Sequence, residues 1–276
     1  MIVDYHMHLR GPVAGQGPEP LVLTVENVER WVDMAKQRGV DEIGFTEHDY
    51  YFRQTAGIWF LPYHLERCLF DLDDYVGAVA EAKRRGLPVK LGVEVDYVGS
   101  RQDELAGILA RYPFDFMLGS VHEVFEFPVD QEPGVWERYS VEEVWRTYFE
   151  QLCELANSGH VDVMAHPDLA KIFGHRPSPE VVAELHESVA ANLGRAGVAI
   201  EISTAGLRKT VGEIYPDEEF LAACHRHDVP ITIASDAHRP DIVGFELSQA
   251  IELAGRVGYT TVSVFEGRSR RQAPLG

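Results

Sequence analysis

Residues 2–8, Ile-Val-Asp-Tyr-His-Met-His, form the stretch on which the prediction of the fold depends. Its apolar start is typical of a buried strand, and it ends in two histidines, His6 and His8, separated by one residue. Because successive side chains of a strand point to opposite faces, these two imidazoles project from the same face. Paired ligand-type side chains at the end of a strand predict a binding site at the carboxyl edge of a parallel sheet.

Seven further runs of the same kind follow, each short, apolar and rich in β-branched or aromatic residues. Together the eight runs cover residues 2–6, 42–46, 89–95, 116–121, 161–165, 198–202, 231–234 and 261–264. Amphipathic segments lie between them, and helix-capping residues precede several of these segments, at Thr24, Asp71, Ser140 and Ser178. Seven or eight consecutive strand–helix units predict a closed or nearly closed α/β barrel, with a doubly wound open sheet as the alternative.

The composition suits one large α/β domain. The chain has 276 residues, of which 45% are hydrophobic and 25% charged, and no linker divides it. We therefore expect residues 1–276 to form a single domain, with a frayed tail after Glu266. The three cysteines are widely spaced, which indicates neither a disulfide framework nor a cysteine zinc site.

The formal net charge of −19 bears on the partners of the protein. Long nucleic acids are not expected, because binding them normally needs a basic face. No run approaches the roughly 18 apolar residues that span a bilayer. We expect a cytoplasmic protein that acts on a small anionic metabolite, and the sequence leaves its oligomeric state open.

Polar residues fall at the ends of seven of the predicted strands, where they form a consistent set. A single histidine is more often a core or surface residue than a metal ligand, but six of the 12 histidines lie at strand ends. Imidazole and carboxylate ligands without thiolate suit zinc, manganese or iron, and Glu94 could bridge two ions. The set consists of His6, His8, Glu47, His48, Glu94, Asp96, His122, His166, Asp168, Glu201, Asp236 and His238.

These motifs occur in an order that resembles the polymerase and histidinol phosphatase (PHP) family. They are HMH at 6–8, TEH at 46–48, GVEVDY at 92–97, GSVH at 119–122, AHPD at 165–168, EISTAG at 201–206 and SDAH at 235–238. The stretch GLRKTVGEIYP at 206–216 resembles the stand-alone histidinol-phosphate phosphatases of this family. The resemblance implies a distorted (β/α)7 barrel that holds two or three divalent metal ions, Zn, Fe or Mn, at the carboxyl ends of its strands.

The resemblance also implies how the ligands are shared between the ions. The first metal would be held by His6, His8, Glu94 and Asp236. The second would be held by Glu94, His122 and His166. Asp96, Asp168, Glu201 and Glu47 are expected instead to orient the histidines, since a metal-bound imidazole usually donates its other nitrogen to a carboxylate.

The third metal is where the chain departs from the family pattern. His48 and His238 would hold this ion together with a histidine from the loop after the first strand. Residues 9–24 contain no histidine, and only Gln16 and Glu19 could replace it. The third site is therefore expected to be weaker, bound through Glu19 or water, or empty.

The implied activity is hydrolysis of a small phosphorylated metabolite, most directly L-histidinol phosphate in histidine biosynthesis. Glu94 would bridge the ions, and Asp236 or His238 would protonate the leaving alkoxide. The alternatives are a phosphodiesterase or exonuclease acting on nucleotides or short nucleic acids, an amidohydrolase, and a non-catalytic metal-binding module. The completeness of the ligand set favours catalysis.

Basic and aromatic residues near the rim are candidates for binding the substrate. Arg208 is preferred as a phosphate ligand because arginine can donate two parallel hydrogen bonds to a phosphate. The aromatic loop, residues 50–70, is long for an ordinary connection and is expected to form either a lid or a small core of its own. The other basic candidates are Lys209, Lys171, Arg176 and Arg53.

Overall fold

The computed structural model describes residues 1–9, 23–131 and 134–276 of the chain. Two parallel sheets form its centre, with strand orders β1-β2-β3 and β4-β5-β8-β9-β10. Two antiparallel hairpins, β6-β7 and β11-β12, accompany them. The strands are β1 (Val3–Asp4), β2 (Glu42–Phe45), β3 (Val89–Leu91), β4 (Glu94–Asp96), β5 (Leu118–Ser120), β6 (Glu123–Val124), β7 (Phe127–Pro128), β8 (Val163–Met164), β9 (Ala199–Ser203), β10 (Ile231–Ala234), β11 (Thr261–Glu266) and β12 (Ser269–Pro274).

The two parallel sheets make a distorted barrel because they share one chain segment. Strands β3 and β4 are separated only by residues 92 and 93; β3 pairs with β2, and β4 pairs with β5. The ring approaches closure between β1 and β10 through individual backbone bonds, such as Tyr5 N to Ile233 O at 3.1 Å and His8 N to Ala237 O at 2.8 Å. The predicted α/β barrel of seven strands is confirmed, although its last seam is not a continuous ladder.

Stacked aromatic rings fill part of the interior next to strand β2 and the segment between β3 and β4. Phe116 stacks on Tyr5 and on Phe265, with ring centroids 5.2 Å and 5.5 Å apart. Gly44 and Gly92 leave room for the Phe116 ring, since a Cβ on either would approach it to 2.7 Å or 2.8 Å. The packing of this layer fixes the strands that carry the rim residues.

Helices cover the outside of the barrel, and their starts follow the predicted caps. Thr24 accepts a hydrogen bond from Asn27 N at 3.2 Å, and Asp71 accepts one from Asp73 N at 2.9 Å. Ser140 and Ser178 cap the two longest helices in the same way. In the described residues the helices are α1 (Val25–Gln37), α2 (Pro62–Leu65), α3 (Leu72–Arg84), α4 (Gln102–Leu109), α5 (Val141–Asn157), α6 (Pro179–Ala196), α7 (Glu218–Arg226) and α8 (Leu247–Val257).

The prediction of a frayed C-terminal tail is wrong. Strand β12 pairs antiparallel with β11 from Glu266↔Ser269 to Thr261↔Pro274. The buried side chains of Val264 and Ala273 attach this hairpin to the core, which the polar composition of the tail conceals. The eighth predicted strand therefore exists but lies outside the parallel sheets.

Among the described helices, none has the length and apolar character that crossing a membrane would need.

His186 lies in the aromatic packing between three helices. Its ring stacks on Phe220 of α7 with centroids 4.7 Å apart and also approaches Phe149 of α5. Neither ring nitrogen has a hydrogen-bond partner among the described residues, and burial lowers the pKa of His186 to about 4. The imidazole is therefore neutral in the folded protein and gains a proton readily only after unfolding.

We predict that His186→Leu makes the protein less sensitive to acid. An unfolded histidine titrates near pH 6.5, so the unfolded state binds a proton as pH falls from about 6.5 towards 4 and folding loses stability. Between pH 7 and pH 5 the free energy of unfolding should fall by about 2 kcal/mol more for the wild type than for the variant. Urea denaturation of the metal-free proteins measures this difference. His225→Gln, which removes an exposed imidazole, should behave like the wild type, and parallel pH dependences for His186→Leu would contradict the prediction.

Candidate metal centre and active site

The carboxyl ends of the barrel strands bring the predicted ligands into one cluster. The segment after β1 delivers the first pair, β4 delivers Glu94, and the turn after β10 delivers the last pair. Five of the side chains are buried, and the remaining three lie at the boundary with solvent. The cluster consists of His6, His8, His48, Glu94, His122, His166, Asp236 and His238, the eight positions predicted from strand ends.

Glu94 lies at the centre of this cluster, and its two oxygens face different histidines. Oε2 is 2.7 Å from His48 Nδ1, 3.3 Å from His6 Nε2 and 3.6 Å from His8 Nε2. Oε1 is 3.2 Å from His166 Nε2 and 3.5 Å from His122 Nε2. A carboxylate that divides its oxygens between two groups of ligands is suited to bridging two cations.

Several of these ligand atoms are buried without a hydrogen-bond partner in the described part of the chain. They include His6 Nε2, His8 Nε2, Glu94 Oε2 and Asp236 Oδ1. His8 Nε2 lies only 3.4 Å from Asp236 Oδ1. Unsatisfied polar atoms cost free energy in a protein interior, and a bound cation would satisfy all four at once. The donor set therefore fits divalent metal ions.

The ligand atoms form groups of three within 4.8 Å of one another. His6, His8 and Asp236 form one group, and His6, Glu94 and His166 form another. A further group joins His8 to His48 and His238. The site predicted for the third metal thus has three imidazoles within reach, one more than the sequence predicts. The third is His8, which belongs both to the group with His6 and Asp236 and to the group with His48 and His238. Glu19 and Gln16, the expected substitutes, lie outside the described residues.

Carboxylates behind the cluster orient two of its histidines, as predicted. Glu201 Oε2 is 2.9 Å from His6 Nδ1, and Glu201 Oε1 accepts a hydrogen bond from His166 N at 3.1 Å. Asp96 Oδ1 is 2.5 Å from His122 Nδ1. The two ring contacts, to His6 and His122, leave the Nε2 atom of each ring free to bind a metal. Asp168 has a different partner, because it forms a buried ion pair with Lys171 at 2.7 Å.

The electrostatics of the cluster keep its carboxylates ionised and shift the pKa values of its histidines in opposite directions. Burial opposes the charged form of Glu94, but the imidazoles of His48 and His6 hold its pKa well below its usual value. Burial and the neighbouring His8 lower the pKa of His238 to about 3, and burial also lowers the pKa of His48. Burial opposes the charged forms of His6, His8 and His122, but the neighbouring carboxylates raise the pKa of His6 and His122 well above the usual value and that of His8 to about 9. A bound cation would therefore replace protons on these three rings.

Asp236 is held in a backbone conformation that L-residues seldom adopt, with φ of 50°. Asp4 fixes the preceding residue by accepting hydrogen bonds from Ser235 N at 2.8 Å and Ser235 Oγ at 2.6 Å. Asp4 also accepts one from Gly244 N at 2.8 Å, and Arg208 Nη2 donates to the carbonyls of Ser235 and Asp236. These contacts keep the Asp236 carboxylate turned towards the cluster. Asp4 is not among the site residues predicted from the sequence.

A cavity of about 650 Å³ opens over the cluster. The aromatic loop forms one wall, through Tyr50, Tyr51, Leu61, Pro62, Tyr63, His64 and Arg67. The β6-β7 hairpin and the residues after it form a second, acidic wall, through Glu123, Glu126, Pro128, Asp130 and Gln131. The side nearest β9 and β10 contributes Ala205, Lys209 and Tyr215.

The basic candidates for substrate binding have different surroundings. Lys209 lines the cavity. Arg208 lies behind the cluster, where it braces the turn that carries Asp236. The structure does not bring the other three to the cavity wall. Lys171 is fully buried in its ion pair with Asp168, Arg176 is paired with Glu213, and Arg53 is exposed to solvent.

The aromatic loop is both a cavity wall and a small core. Tyr51 lines the cavity, whereas Phe52 packs on Tyr75 with centroids 5.4 Å apart. Trp59 is buried and donates a hydrogen bond to Thr55 Oγ1 at 3.2 Å. Phe60 points to solvent with 66% of its surface exposed. The loop therefore lines the cavity and also has a small core of its own, and its role as a lid stays a prediction.

The acidic wall and Tyr215 are the main features that sequence reasoning missed. The β6-β7 hairpin has strands of only two residues, too short for a recognisable alternation. Tyr215 reaches the rim because its backbone pairs with Ser203 at the end of β9. The only signal for Tyr215 was its position in the stretch 206–216, which carries part of the family resemblance.

Comparison with known proteins identifies the family. A family model described as PHP domain matches residues 22–205, about two thirds of the chain. The chain belongs to the PHP domain family. Within this PHP domain protein, the match includes most of the strand-end motifs, from Thr-Glu-His at 46–48 to the segment after β9.

The PHP domain protein is similar along nearly its whole length to several relatives. A probable histidinol-phosphatase of Deinococcus radiodurans is 28% identical, and the match covers 99% of each chain. The crystal structure of histidinol phosphate phosphatase from Lactococcus lactis, complexed with zinc, L-histidinol and phosphate, matches 98% of each chain with a TM-score of 0.77 and 20% identity. A putative histidinol phosphatase from Listeria monocytogenes matches with a TM-score of 0.73 and 21% identity, covering 90% of this chain and 99% of that one.

We predict that Glu94→Gln lowers the metal content by at least one ion per chain. The amide keeps the shape of the side chain but removes the negative charge that both groups of histidines face. Elemental analysis after dialysis measures the loss, and circular dichroism checks the fold. Glu187→Gln, at an exposed position, should keep the wild-type metal content. Unchanged stoichiometry in Glu94→Gln would show that the carboxylate does not hold an ion.

We also predict that Glu201→Gln weakens metal binding without replacing a ligand. Loss of a carboxylate that orients a metal-bound histidine typically lowers metal affinity roughly 10- to 100-fold. Competition with a fluorescent chelator measures this change. Asp103→Asn is a matched control, because Asp103 contacts the surface residue His160 at 2.8 Å in a similar way. Equal affinities for the two variants would contradict the orienting role of Glu201.

Proposed function

We propose that this protein is a metal-dependent phosphomonoesterase that hydrolyses L-histidinol phosphate to L-histidinol and phosphate, in histidine biosynthesis in the cytoplasm. The observation that carries the proposal is the division of the Glu94 oxygens between two groups of histidines at the base of a cavity. The relatives named histidinol-phosphatase, which match over nearly the whole chain, support the choice of substrate.

The proposal includes two or three bound divalent ions, of zinc, iron or manganese. His6, His8, Glu94 and Asp236 would hold the first, and Glu94, His122 and His166 the second. His48 and His238 would hold a third with His8 nearby, and Glu19 stays a candidate for that site. When bound, such ions supply Lewis acidity that offsets charge developing on a phosphoryl group.

The chain's own residues would bind the ester and move a proton. Lys209 lines the cavity and offers an ammonium group to the phosphate. Arg208 has a buried Nη1 without a partner among the described residues, so it stays a candidate for the same role. Lys171, Arg176 and Arg53 would bind only after a rearrangement, since their present contacts lie elsewhere. Asp236 and His238 both line the cavity, and either could protonate the leaving alkoxide.

The far walls of the cavity complement the organic part of histidinol phosphate. That part carries an ammonium group and an imidazole ring. Carboxylates of Glu126 and Asp130 offer charge complementarity to a cation, and the rings of Tyr50 and Tyr63 offer a surface on which an imidazole can stack. The same walls disfavour nucleic acids, because carboxylates repel further phosphate groups.

The alternative activities are less well supported. A phosphodiesterase or exonuclease would need room and positive charge for a second phosphate, whereas the hairpin wall beside the cluster is acidic. A non-catalytic metal-binding module would not need all eight ligand positions together with a cavity above them. The rates measured with different phosphate esters, described next, distinguish both alternatives from the proposed activity.

We predict that the purified protein, loaded with Mn²⁺, Zn²⁺ or Fe²⁺, prefers histidinol phosphate to a neutral alkyl phosphate by at least about 100-fold in kcat/KM. Two contacts to charged groups, each contributing about 1.5 kcal/mol or more, account for this factor. Release of inorganic phosphate measures the rates. Glu94→Gln, purified in parallel, controls for contaminating phosphatases and should be inactive. Faster cleavage of a phosphodiester or a short oligonucleotide, or no hydrolysis at all, would overturn the proposed function.

A further inference from the structure

Tyr215 carries a buried hydroxyl at the cavity wall. Its side chain has no exposed surface, it lines the cavity together with Lys209 and Asp236, and its hydroxyl has no hydrogen-bond partner in the described part of the chain. A buried hydroxyl without a partner is costly, and folded proteins rarely keep one unless a ligand or water satisfies it. The hydroxyl therefore points to a contact that forms when the cavity is filled.

The ring of Tyr215 is held firmly from three sides. Its backbone pairs with Ser203 at the carboxyl end of β9, through bonds of 2.6 Å and 3.0 Å. Gly206 lies against the ring, since an added Cβ would come within 2.9 Å and 3.0 Å of two ring carbons. The Lys171 ammonium lies 5.4 Å from the ring centroid. A side chain fixed in this way loses little further freedom when its hydroxyl binds a ligand.

The chemistry of the hydroxyl suits an anionic partner. Burial and the nearby Asp168 raise the pKa of Tyr215 above its usual value, so the phenol stays protonated and can donate a hydrogen bond. Asp236 and Asp130 are further charged groups near the phenol, and neither accepts a hydrogen bond from it. A neutral donor adds no charge to the cation cluster and can still bind an oxyanion held there.

We infer that the Tyr215 hydroxyl donates a hydrogen bond to a phosphate oxygen of the bound ester. This inference rests on the proposed function, and it places Tyr215 beside Lys209 as a side-chain donor on the β9 side of the cavity. The contact persists with the product, so inorganic phosphate can serve as the probe.

Calorimetric titration of the metal-loaded protein with inorganic phosphate tests this role. Tyr215→Phe should raise the Kd for phosphate roughly 10-fold, as expected for one lost hydrogen bond to a charged group. The metal content should not change, and the thermal midpoint should stay the same or rise, because the variant removes an unsatisfied buried hydroxyl. Tyr259→Phe is the control, since its hydroxyl donates to Val229 O at 2.9 Å away from the cavity. That variant should lower the midpoint and keep the wild-type Kd.

Three results would overturn the inference. The first is an unchanged Kd for phosphate in Tyr215→Phe. The second is a loss of bound metal that accounts for the weaker binding of phosphate. The third is a raised KM for histidinol phosphate with normal phosphate affinity, which would assign the hydroxyl to the organic part of the substrate. The proposed function fails separately, if the wild type binds phosphate but hydrolyses no phosphate ester.

Discussion

The buried carboxylate of Glu94 is the interaction on which the site depends. It lies among five imidazoles, and the pKa of this carboxyl is held well below its usual value by His48 and His6 in spite of burial. Without this charge the imidazoles would face one another across a cluster with no anion at its centre. Glu94 stands on β4, the part of the shared segment that joins the two sheets, so the position of the carboxylate and the shape of the barrel are linked.

The contacts that orient the ligands also hold the barrel together. Asp4 of β1 fixes Ser235 at the end of β10, across the seam where the ladder is incomplete. Glu201 of β9 contacts His6, in the segment after β1, and the backbone after β8. Ligand geometry is therefore inseparable from strand closure. Metal binding to such a site contributes to folding stability, because the unfolded chain has no preformed arrangement of ligands.

The sequence predicts the ligand cluster well because each ligand is placed by a local feature, the end of a strand. Long basic side chains are harder to place, since partners distant in sequence decide where they point. Lys171 is drawn into the core by Asp168, and Arg208 by carbonyls after β10. The pairing of 269–274 with β11 and the position of Tyr215 also depend on contacts that no local pattern reports.

The aromatic layer of Tyr5, Phe116 and Phe265 has a consequence for how ligands enter and leave the site. These rings pack in the interior against Gly44 and Gly92, whereas the cavity over the cluster is lined by loops, so a ligand would reach the cluster from the loop side. Under the proposed activity, the alcohol product would lie between the phosphate and solvent, and the phosphate would lie deeper, against the cations. The products would then leave in a fixed order, alcohol before phosphate, and bound phosphate would block the next turnover until it dissociates.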